Sequence, residues 1–204
     1  IRLIAKIPVI LAAWDRIRNN KEPVEPSLES DHAANFLYML KGENPDDEIS
    51  RFFDVCLVLH AEHSFNASTF AAREIASTKA HMYAAVAGAV GSLSGALHGG
   101  ANTRVMNMLL EIGREDAVEE YINNQLERGK KIMGLGHAVY KTDDPRALIL
   151  APMSEKMGIR IGETRWYNIS KILEQKAKHA FKTRKNMDIY VNVDFYSASL
   201  YYSM

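Results

Sequence analysis

Residues 130–146 read KKIMGLGHAVYKTDDPR, a glycine loop that leads into a helix. The helix is expected to begin at Pro145, because Asp144 followed by proline is typical of an N-cap and the first helical position. Apolar side chains recur at helical spacing on both sides of this loop, within residues 118–126 and 166–173. These patterns predict a mostly α-helical chain.

Further helices are predicted over residues 3–19, 30–41 and 80–97. The third is interpreted as a buried helix, because it is shorter than the roughly 20 apolar residues that cross a bilayer. Its many small residues favour a close helix contact, between subunits if a dimer forms. Only residues 189–195 are rich in strand-forming side chains. Three glycines are expected to end helices: Gly113, Gly129 and Gly158.

Composition excludes several classes of protein. The chain has 204 residues with 25 basic and 25 acidic side chains, and this zero net charge argues against nucleic acid or a membrane surface as a partner. The single cysteine, Cys56, lies between apolar residues and predicts a buried side chain in a reducing, cytoplasmic compartment. Because the sequence begins with Ile1 rather than Met, we expect a piece of a longer protein.

The glycine loop is a candidate binding site for a polyanion. Gly134 and Gly136 allow close approach of a ligand to the backbone beside His137. The loop does not have the lysine spacing of a P-loop. Four cations accompany the loop: Lys130, Lys131, Lys141 and Arg146.

A second histidine, His98, lies in the glycine turn of residues 93–102 (LSGALHGGAN), just before an apolar helix. The positive end of that helix is expected to keep the ring neutral. A neutral imidazole can donate a hydrogen bond to a carbonyl oxygen that gains charge.

Two further features carry chemistry. His60 and His63 are three residues apart and could share a helix face; a metal site would need a third ligand that the spacing does not supply, so we expect no metal. The alternative is an ordinary helix histidine. Asp194 lies in an apolar stretch, where a carboxylate has a partner or a task such as general base catalysis. It could instead cap a helix, and Ser197 competes for that position.

Four segments in order resemble the citrate synthase family: LHAEHSFNASTFAAR (59–73), LSGALHGGAN (93–102), IMGLGHAVYKTDDPR (132–146) and NVDFYSAS (192–199). The resemblance implies an all-α homodimer with a large helical domain and an inserted smaller one. Residues 1–98 and 186–204 would belong to the large domain and residues 99–185 to the small domain.

The resemblance also implies a reaction, that of a citrate (Si)-synthase-type acyltransferase. Asp194 would remove the α-proton of acetyl-CoA while His98 donates to the thioester oxygen. His137 would polarise the carbonyl of oxaloacetate, and hydrolysis would release citrate and CoA. No metal or permanently bound cofactor is implied, since acetyl-CoA is a co-substrate. His63 and Arg146 resemble the oxaloacetate ligands. The residues that resemble the CoA loop are Met133, Gly134, Leu135, Gly136 and Lys141.

Three alternatives stay open at this point. The first is 2-methylcitrate synthase, which uses propionyl-CoA in the same reaction. The second is a non-catalytic helical fragment that dimerises through residues 80–97, and the third is a metal-dependent hydrolase built on His60 and His63. The family extends beyond both ends of this sequence, so the 204 residues alone are expected to have little or no activity.

Overall fold

The computed structural model describes residues 1–61, 63, 65–95, 98–137 and 140–204. Ten α-helices lie within these ranges, which confirms the all-α prediction. Their bounds are α1 Arg2–Arg18, α2 His32–Lys41, α3 Asp47–His60, α4 Ala67–Ser77, α5 Met82–Leu93, α6 Ala101–Ile112, α7 Val118–Glu127, α8 Pro145–Ile161, α9 Arg165–Lys185 and α10 Val193–Ser203. None of these helices is both long and apolar enough to cross a bilayer.

The chain divides into two compact units, Ile1–Glu62 and His63–Met204. The first unit contains α1 to α3. Asp31 and Asp46 accept backbone N–H groups at the starts of α2 and α3, and Gly42 ends α2 in the left-handed conformation. Cys56 is fully buried on α3, as predicted.

The second unit is organised around α10, which packs against α6, α8 and α9. Seven of the eight residues from Val193 to Leu200 are buried, and Asp194 is the exception. The apolar stripes predicted from the sequence face this core or its neighbours, with Ile122, Ile169 and Leu173 almost completely buried. A carboxylate at the start of so buried a helix is held in one place by the surrounding core.

The helix predicted over residues 80–97 differs from the prediction in two ways. It is α5, Met82–Leu93, and Leu97 lies outside the described residues. The interpretation as a buried helix is wrong for the single chain, because Ala85 is its one buried residue while Met82 and Tyr83 are 69% and 62% exposed. Small apolar residues of α5 lie on every side of the helix. The hydrophobic pattern of the sequence therefore could not show which face of α5 is covered by α4.

Two local predictions also need correction. Gly158 does not end a helix but lies buried inside α8, where an added Cβ would come within 3.0 Å of the Glu163 carbonyl oxygen. The helix ends at Gly162, which has a positive φ of 71°. The strand-forming stretch contributes one isolated bridge, between Leu135 and Val191, because α10 already begins at Val193.

Candidate active site

The glycine loop and the segment before α10 are joined by backbone hydrogen bonds, although 56 residues separate Gly136 from Asn192. Asn192 Nδ2 donates to the Gly136 carbonyl oxygen at 3.0 Å. Three backbone bonds add to this link: Gly136 N to Tyr190 O (2.7 Å), Asn192 N to Gly134 O (2.9 Å) and Asp144 N to Val191 O (3.1 Å). These bonds fix the first turn of α10 beside the loop that contains His137.

Gly134 has a structural reason to be glycine. Its φ is +77°, and an added Cβ would lie 2.8 Å from the Phe195 ring and 3.1 Å from the Phe195 Cα. Both the left-handed conformation and the close approach of α10 exclude a side chain. The packing of the loop against α10 therefore accounts for this glycine without any ligand.

Asp144 is the centre of the site and is completely buried. It caps α8 by accepting the Arg146 backbone N–H at 2.9 Å, as the sequence predicts. The Arg146 side chain also forms a bidentate pair with it, through Nε at 3.0 Å and Nη2 at 2.7 Å. Burial alone would raise the pKa of Asp144, but the hydrogen bonds and charge of Arg146 outweigh it and hold the pKa below the usual range.

His137 lies next to this pair, with Nε2 4.0 Å from Asp144 Oδ2. Its Nδ1 accepts the Tyr140 backbone N–H at 3.0 Å, so a neutral ring carries its proton on Nε2. The Tyr140 ring is tilted against the imidazole with centroids 4.6 Å apart. This arrangement selects the tautomer that can donate a hydrogen bond from Nε2.

Burial favours the neutral form of the His137 ring. It is the main cause that lowers the pKa of His137, and His63 and Arg146 lower it further. Asp144 and Asp194 act in the opposite direction without reversing the shift. The effect of Asp194 means that this carboxylate lies within electrostatic reach of the imidazole. At neutral pH His137 is therefore an uncharged N–H donor.

His63 packs its ring edge against His137, with centroids 5.2 Å apart. Its Nε2 is buried and has no hydrogen-bond partner among the described residues. A buried nitrogen without a partner is costly, so it is available for a ligand atom. The predicted shared helix face with His60 is wrong, because α3 ends at His60, whose Nδ1 bonds the Cys56 carbonyl oxygen at 2.7 Å.

A metal ion is one group to test against this geometry. Each of three described residues offers one candidate ligand atom, and these atoms lie within 4.8 Å of one another: His63, His137 and Asp144. Both carboxylate oxygens of Asp144 already accept from the Arg146 guanidinium, and this fixed cation would repel a second cation. The cluster suits an anionic ligand better than a metal.

Asp194 lies in the first turn of α10, half-buried. Its backbone N–H donates to the Asn192 side chain at 3.1 Å, so Asn192 is the N-cap. The competing interpretation of Ser197 as a cap is wrong: Ser197 is fully buried within the helix and accepts a 2.6 Å hydrogen bond from Asn102. The N-cap role is therefore filled by Asn192 rather than by Asp194.

His98 is positioned separately, by Ser68 at the start of α4. Its Nε2 accepts the Ser68 backbone N–H at 3.3 Å and lies 3.0 Å from the Ser68 hydroxyl. In the tautomer that accepts the amide, the ring is neutral and its proton lies on Nδ1. As predicted, His98 lies just before α6, which begins at Ala101, and its ring additionally bonds Ser68 in the first turn of α4.

A cavity of about 450 Å³ opens beside the glycine loop. His137 lines one part of it together with Leu135 and Gly136, whereas Met133, Gly134 and Lys141 are not among its lining residues. Three basic residues line it as well: Lys130, Lys131 and Lys185. Phe181, Met187 and Ile189 supply apolar surface. Cationic groups around a partly apolar cavity suit a ligand with both phosphate and hydrophobic parts.

The structure brings three of the predicted residues, His63, His137 and Arg146, together around Asp144, and Asp194 lies within electrostatic reach of His137. Sequence reasoning missed Asp144 as the centre of charge, although its N-cap position next to Arg146 was visible. It also missed Ser68, for which the sequence contains no signal because the contact with His98 spans 30 residues.

An all-helical fold with a neutral His137, a buried carboxylate–arginine pair and a first-turn aspartate defines a helical protein with a candidate site for an anionic ligand. The family model described as citrate synthase, C-terminal domain, matches residues 1–204. The chain therefore belongs to the citrate synthase family, as the four segments suggested.

Individual relatives agree with this assignment. A citrate synthase from Synechocystis is 49% identical over 201 residues, and one from Haloferax volcanii is 46% identical over 204 residues. These alignments cover 98% and 100% of this chain but 50% and 52% of the relatives, so the chain spans about half their length. A solved citrate synthase from Thermoplasma acidophilum, in a ternary complex with carboxymethyl-CoA and oxaloacetate, superposes with a TM-score of 0.90 at 32% identity. That superposition covers 98% of this chain and 52% of the solved one.

Proposed function

We propose that this chain carries the acid–base site of a citrate synthase, which joins acetyl-CoA to oxaloacetate and releases citrate and CoA. The observation that carries the proposal is the neutral His137 beside a carboxylate–arginine pair, within electrostatic reach of Asp194. Enolisation of a thioester needs a carboxylate base, and condensation needs an N–H donor at the receiving carbonyl.

In this proposal Asp194 takes a proton from the methyl carbon of acetyl-CoA. The electrons move to the thioester oxygen, which accepts a hydrogen bond from His98. The resulting enol carbon attacks the keto carbon of oxaloacetate, and His137 Nε2–H donates a proton to the new alkoxide. Water then attacks the thioester carbonyl, the C–S bond breaks, and CoA leaves.

Oxaloacetate binding is assigned to His63 and Arg146. The buried Nε2 of His63 is a polar atom in need of a partner, and a substrate oxygen can provide it. Asp144 engages Nε and Nη2 of Arg146, so we assign the remaining Nη1 edge to a substrate carboxylate. Asp144 fixes the direction in which this guanidinium points.

Acyl-CoA is assigned to the cavity beside the glycine loop. Its volume of about 450 Å³ lies within the usual range for small-molecule sites, roughly 300–1,000 Å³. Lys130, Lys131 and Lys185 would bind phosphate groups there. Met133, Gly134 and Lys141 stay predicted CoA residues that this cavity alone does not support.

Assembly and domain closure belong to the same proposal. The exposed apolar side chains of α5, Met82, Tyr83 and Val90, support a homodimer that covers this face. Residues 99–185 would form the small domain, whose closure excludes water from the thioester. We also infer a cytoplasmic setting and a role in the tricarboxylic acid cycle.

Propionyl-CoA as the acyl donor is the second candidate, which would make the protein a 2-methylcitrate synthase. It is less favoured, because a relative with that name, from Shewanella oneidensis, is 39% identical over 204 residues, against 49% for the Synechocystis citrate synthase. Rates of the full-length protein with acetyl-CoA and propionyl-CoA decide between them. A non-catalytic dimerisation fragment would bind neither oxaloacetate nor a CoA analogue.

The proposal is tested with His98→Ala and Asp194→Ala in the full-length protein. We expect kcat to fall by roughly 100-fold or more while substrate affinity changes little, since these groups act in the transition state. Matched controls are His179→Ala and Asp188→Ala, which remove exposed residues of the same types. Loss of affinity with unchanged kcat would contradict the assigned roles.

A further inference from the structure

Lys178 lies on α9 and connects the candidate site to the helix that carries Asp194. Its ammonium donates to Asp143 Oδ2 at 2.7 Å and to Glu174 Oε1 at 2.6 Å. The other oxygen of Glu174 accepts the hydroxyl of Tyr196. We call these four residues, Asp143, Glu174, Lys178 and Tyr196, the Lys178 bridge.

One end of the bridge holds the loop of the site. Asp143 is the residue before Asp144, and its Oδ1 accepts the Val191 backbone N–H at 3.1 Å. In return, Asp144 N donates to the Val191 carbonyl oxygen at 3.1 Å. This pair of bonds ties the chain that leads into Asp194 to the residue that holds Arg146. Lys178 binds the second oxygen of Asp143 and so orients the carboxylate for this task.

The other end of the bridge holds α10 itself. Tyr196 lies two residues after Asp194 and is 5% exposed. Its ring packs beside Phe195 and Tyr167, with centroids 5.2 and 6.1 Å away. The hydroxyl is therefore directed at Glu174, and a rotation or shift of α10 would break that hydrogen bond.

The two donors of the bridge are protonated at neutral pH. Burial lowers the pKa of Lys178, but its hydrogen bonds to Asp143 and Glu174 outweigh this effect and the net shift is upward. Burial, and next the Glu174 carboxylate, raise the pKa of Tyr196. The bridge thus has an ammonium and a phenol as donors, and the side-chain oxygens of Asp143 and Glu174 accept from them. Partly buried charge-assisted bonds of this kind position groups more firmly than exposed pairs.

We propose that Lys178 is a positioning residue that sets the distance between the Asp194 carboxylate and His137, because its ammonium holds Asp143 directly and Tyr196 through Glu174. The proposal rests on the function proposed above, because it concerns the same site. Lys178 does not touch substrate in this account. Lys178 acts through the link between the glycine loop and α10. Its loss would therefore shift the Asp194 carboxylate relative to the methyl carbon of acetyl-CoA.

Kinetics of the full-length protein test this proposal with Lys178→Met, which keeps most of the unbranched side chain and removes the charge. We expect kcat to fall by roughly 10- to 100-fold, because small misplacements of a catalytic group have effects of this size. KM for oxaloacetate should stay within about threefold, since His63 and Arg146 are held by other contacts. Lys178→Arg should recover most of the lost kcat, because a guanidinium can still bridge both carboxylates.

The matched control is Lys176→Met, on the same helix. Lys176 forms an ion pair with Glu119 outside the bridge, and its side chain is 45% exposed. The kcat of Lys176→Met should therefore equal that of the wild type. If Lys178→Met and Lys176→Met have the same kcat, the proposal is wrong. A parallel loss of oxaloacetate binding in Lys178→Met, or no recovery with Lys178→Arg, would also overturn it.

A milder variant covers the case in which Lys178→Met does not fold. Tyr196→Phe keeps the buried ring and removes only the hydroxyl that bonds Glu174. We expect a smaller loss of kcat, roughly three- to tenfold, with an unchanged KM for oxaloacetate. An unchanged kcat would overturn the proposal. Failure of the wild-type protein to form citrate would instead refute the proposed function, so the two failures are distinguishable.

Discussion

Replacing Asp144 by asparagine tests the carboxylate–arginine pair that organises the candidate site. The substitution keeps the shape of the side chain but removes a fully buried negative charge from a bidentate pair with Arg146. The guanidinium is only 14% exposed, so water can replace little of the lost interaction. Removing one member of such a pair leaves an uncompensated charge.

The expected loss of unfolding free energy is set by the three hydrogen bonds that Asp144 accepts from Arg146. Breaking a buried ion pair costs about 3–5 kcal/mol, and loss of an N-cap costs about 1 kcal/mol. Asparagine retains an oxygen that can accept the Arg146 backbone N–H, so the cap survives in Asp144→Asn. We expect the free energy of unfolding to fall by about 2–4 kcal/mol in Asp144→Asn, which retains a neutral acceptor, and by about 4–6 kcal/mol in Asp144→Ala, which loses the pair and the cap.

The dependence on pH has a definite sign. The pKa of Asp144 in the folded protein lies below its usual value of 3.8. Its charge therefore stabilises the fold fully above that value, and this contribution is lost as the pH falls through the lower, folded-state pKa. The difference in stability between wild type and Asp144→Asn should be constant near neutral pH and should shrink below about pH 4.

Urea unfolding followed by circular dichroism at several pH values measures this difference. Glu163→Gln serves as the control, because it removes a carboxylate from an exposed pair with Arg165 and should leave the unfolding midpoint unchanged. An NMR titration adds a second measure: the pKa of His137 should fall further in Asp144→Asn, since Asp144 raises it. Equal midpoints for Asp144→Asn and Glu163→Gln would show that the buried pair with Arg146 does not stabilise the fold. A rise in the pKa of His137 would show that Asp144 does not act on this ring as described.

Three shorter predictions follow. Gly134→Ala should lower the free energy of unfolding by at least about 1–2 kcal/mol, from the positive φ and the contact with Phe195, and thermal or urea unfolding measures this loss. Saturating EDTA should leave citrate formation by the full-length protein unchanged; an activity lost to the chelator and restored by Zn²⁺ would revive a metal at His63, His137 and Asp144. The 204-residue chain alone should form little or no citrate from acetyl-CoA and oxaloacetate, and a free-thiol assay for released CoA would reveal the contrary.

The parts of the site that could be predicted depend on neighbours in the sequence. Asp144 and Pro145 mark the start of α8 because an N-cap acts within one helical turn. The apolar stripes of α7 and α9 were equally legible, since each reports which side of a single helix is buried. Local signals of this kind gave the helices and the identity of several charged residues, but not the distances between them.

The parts that could not be predicted depend on contacts between distant segments. His98 is held by Ser68, 30 residues earlier, and Asp143 binds Val191 across 48 residues. Each contact includes a backbone N–H, which almost every residue has, so the residue types of Ser68 and Val191 do not predict these bonds. The prediction that α5 is buried was wrong for a related reason. A helix that is apolar on all sides does not reveal which side is covered by the rest of its own chain.

The electrostatic logic of the site is clearest when Asp144 and Asp194 are compared. Asp144 is completely buried, and both of its carboxylate oxygens accept from the Arg146 guanidinium. This ion pair lowers the pKa of Asp144 and makes it a poor base. Asp194 is half-buried at a helix N-terminus, and it acts on His137 through space. Asp144 thereby fixes the cation that would bind substrate. Because a carboxylate bound bidentately by arginine is a poor proton acceptor, we propose proton removal for Asp194 rather than for Asp144.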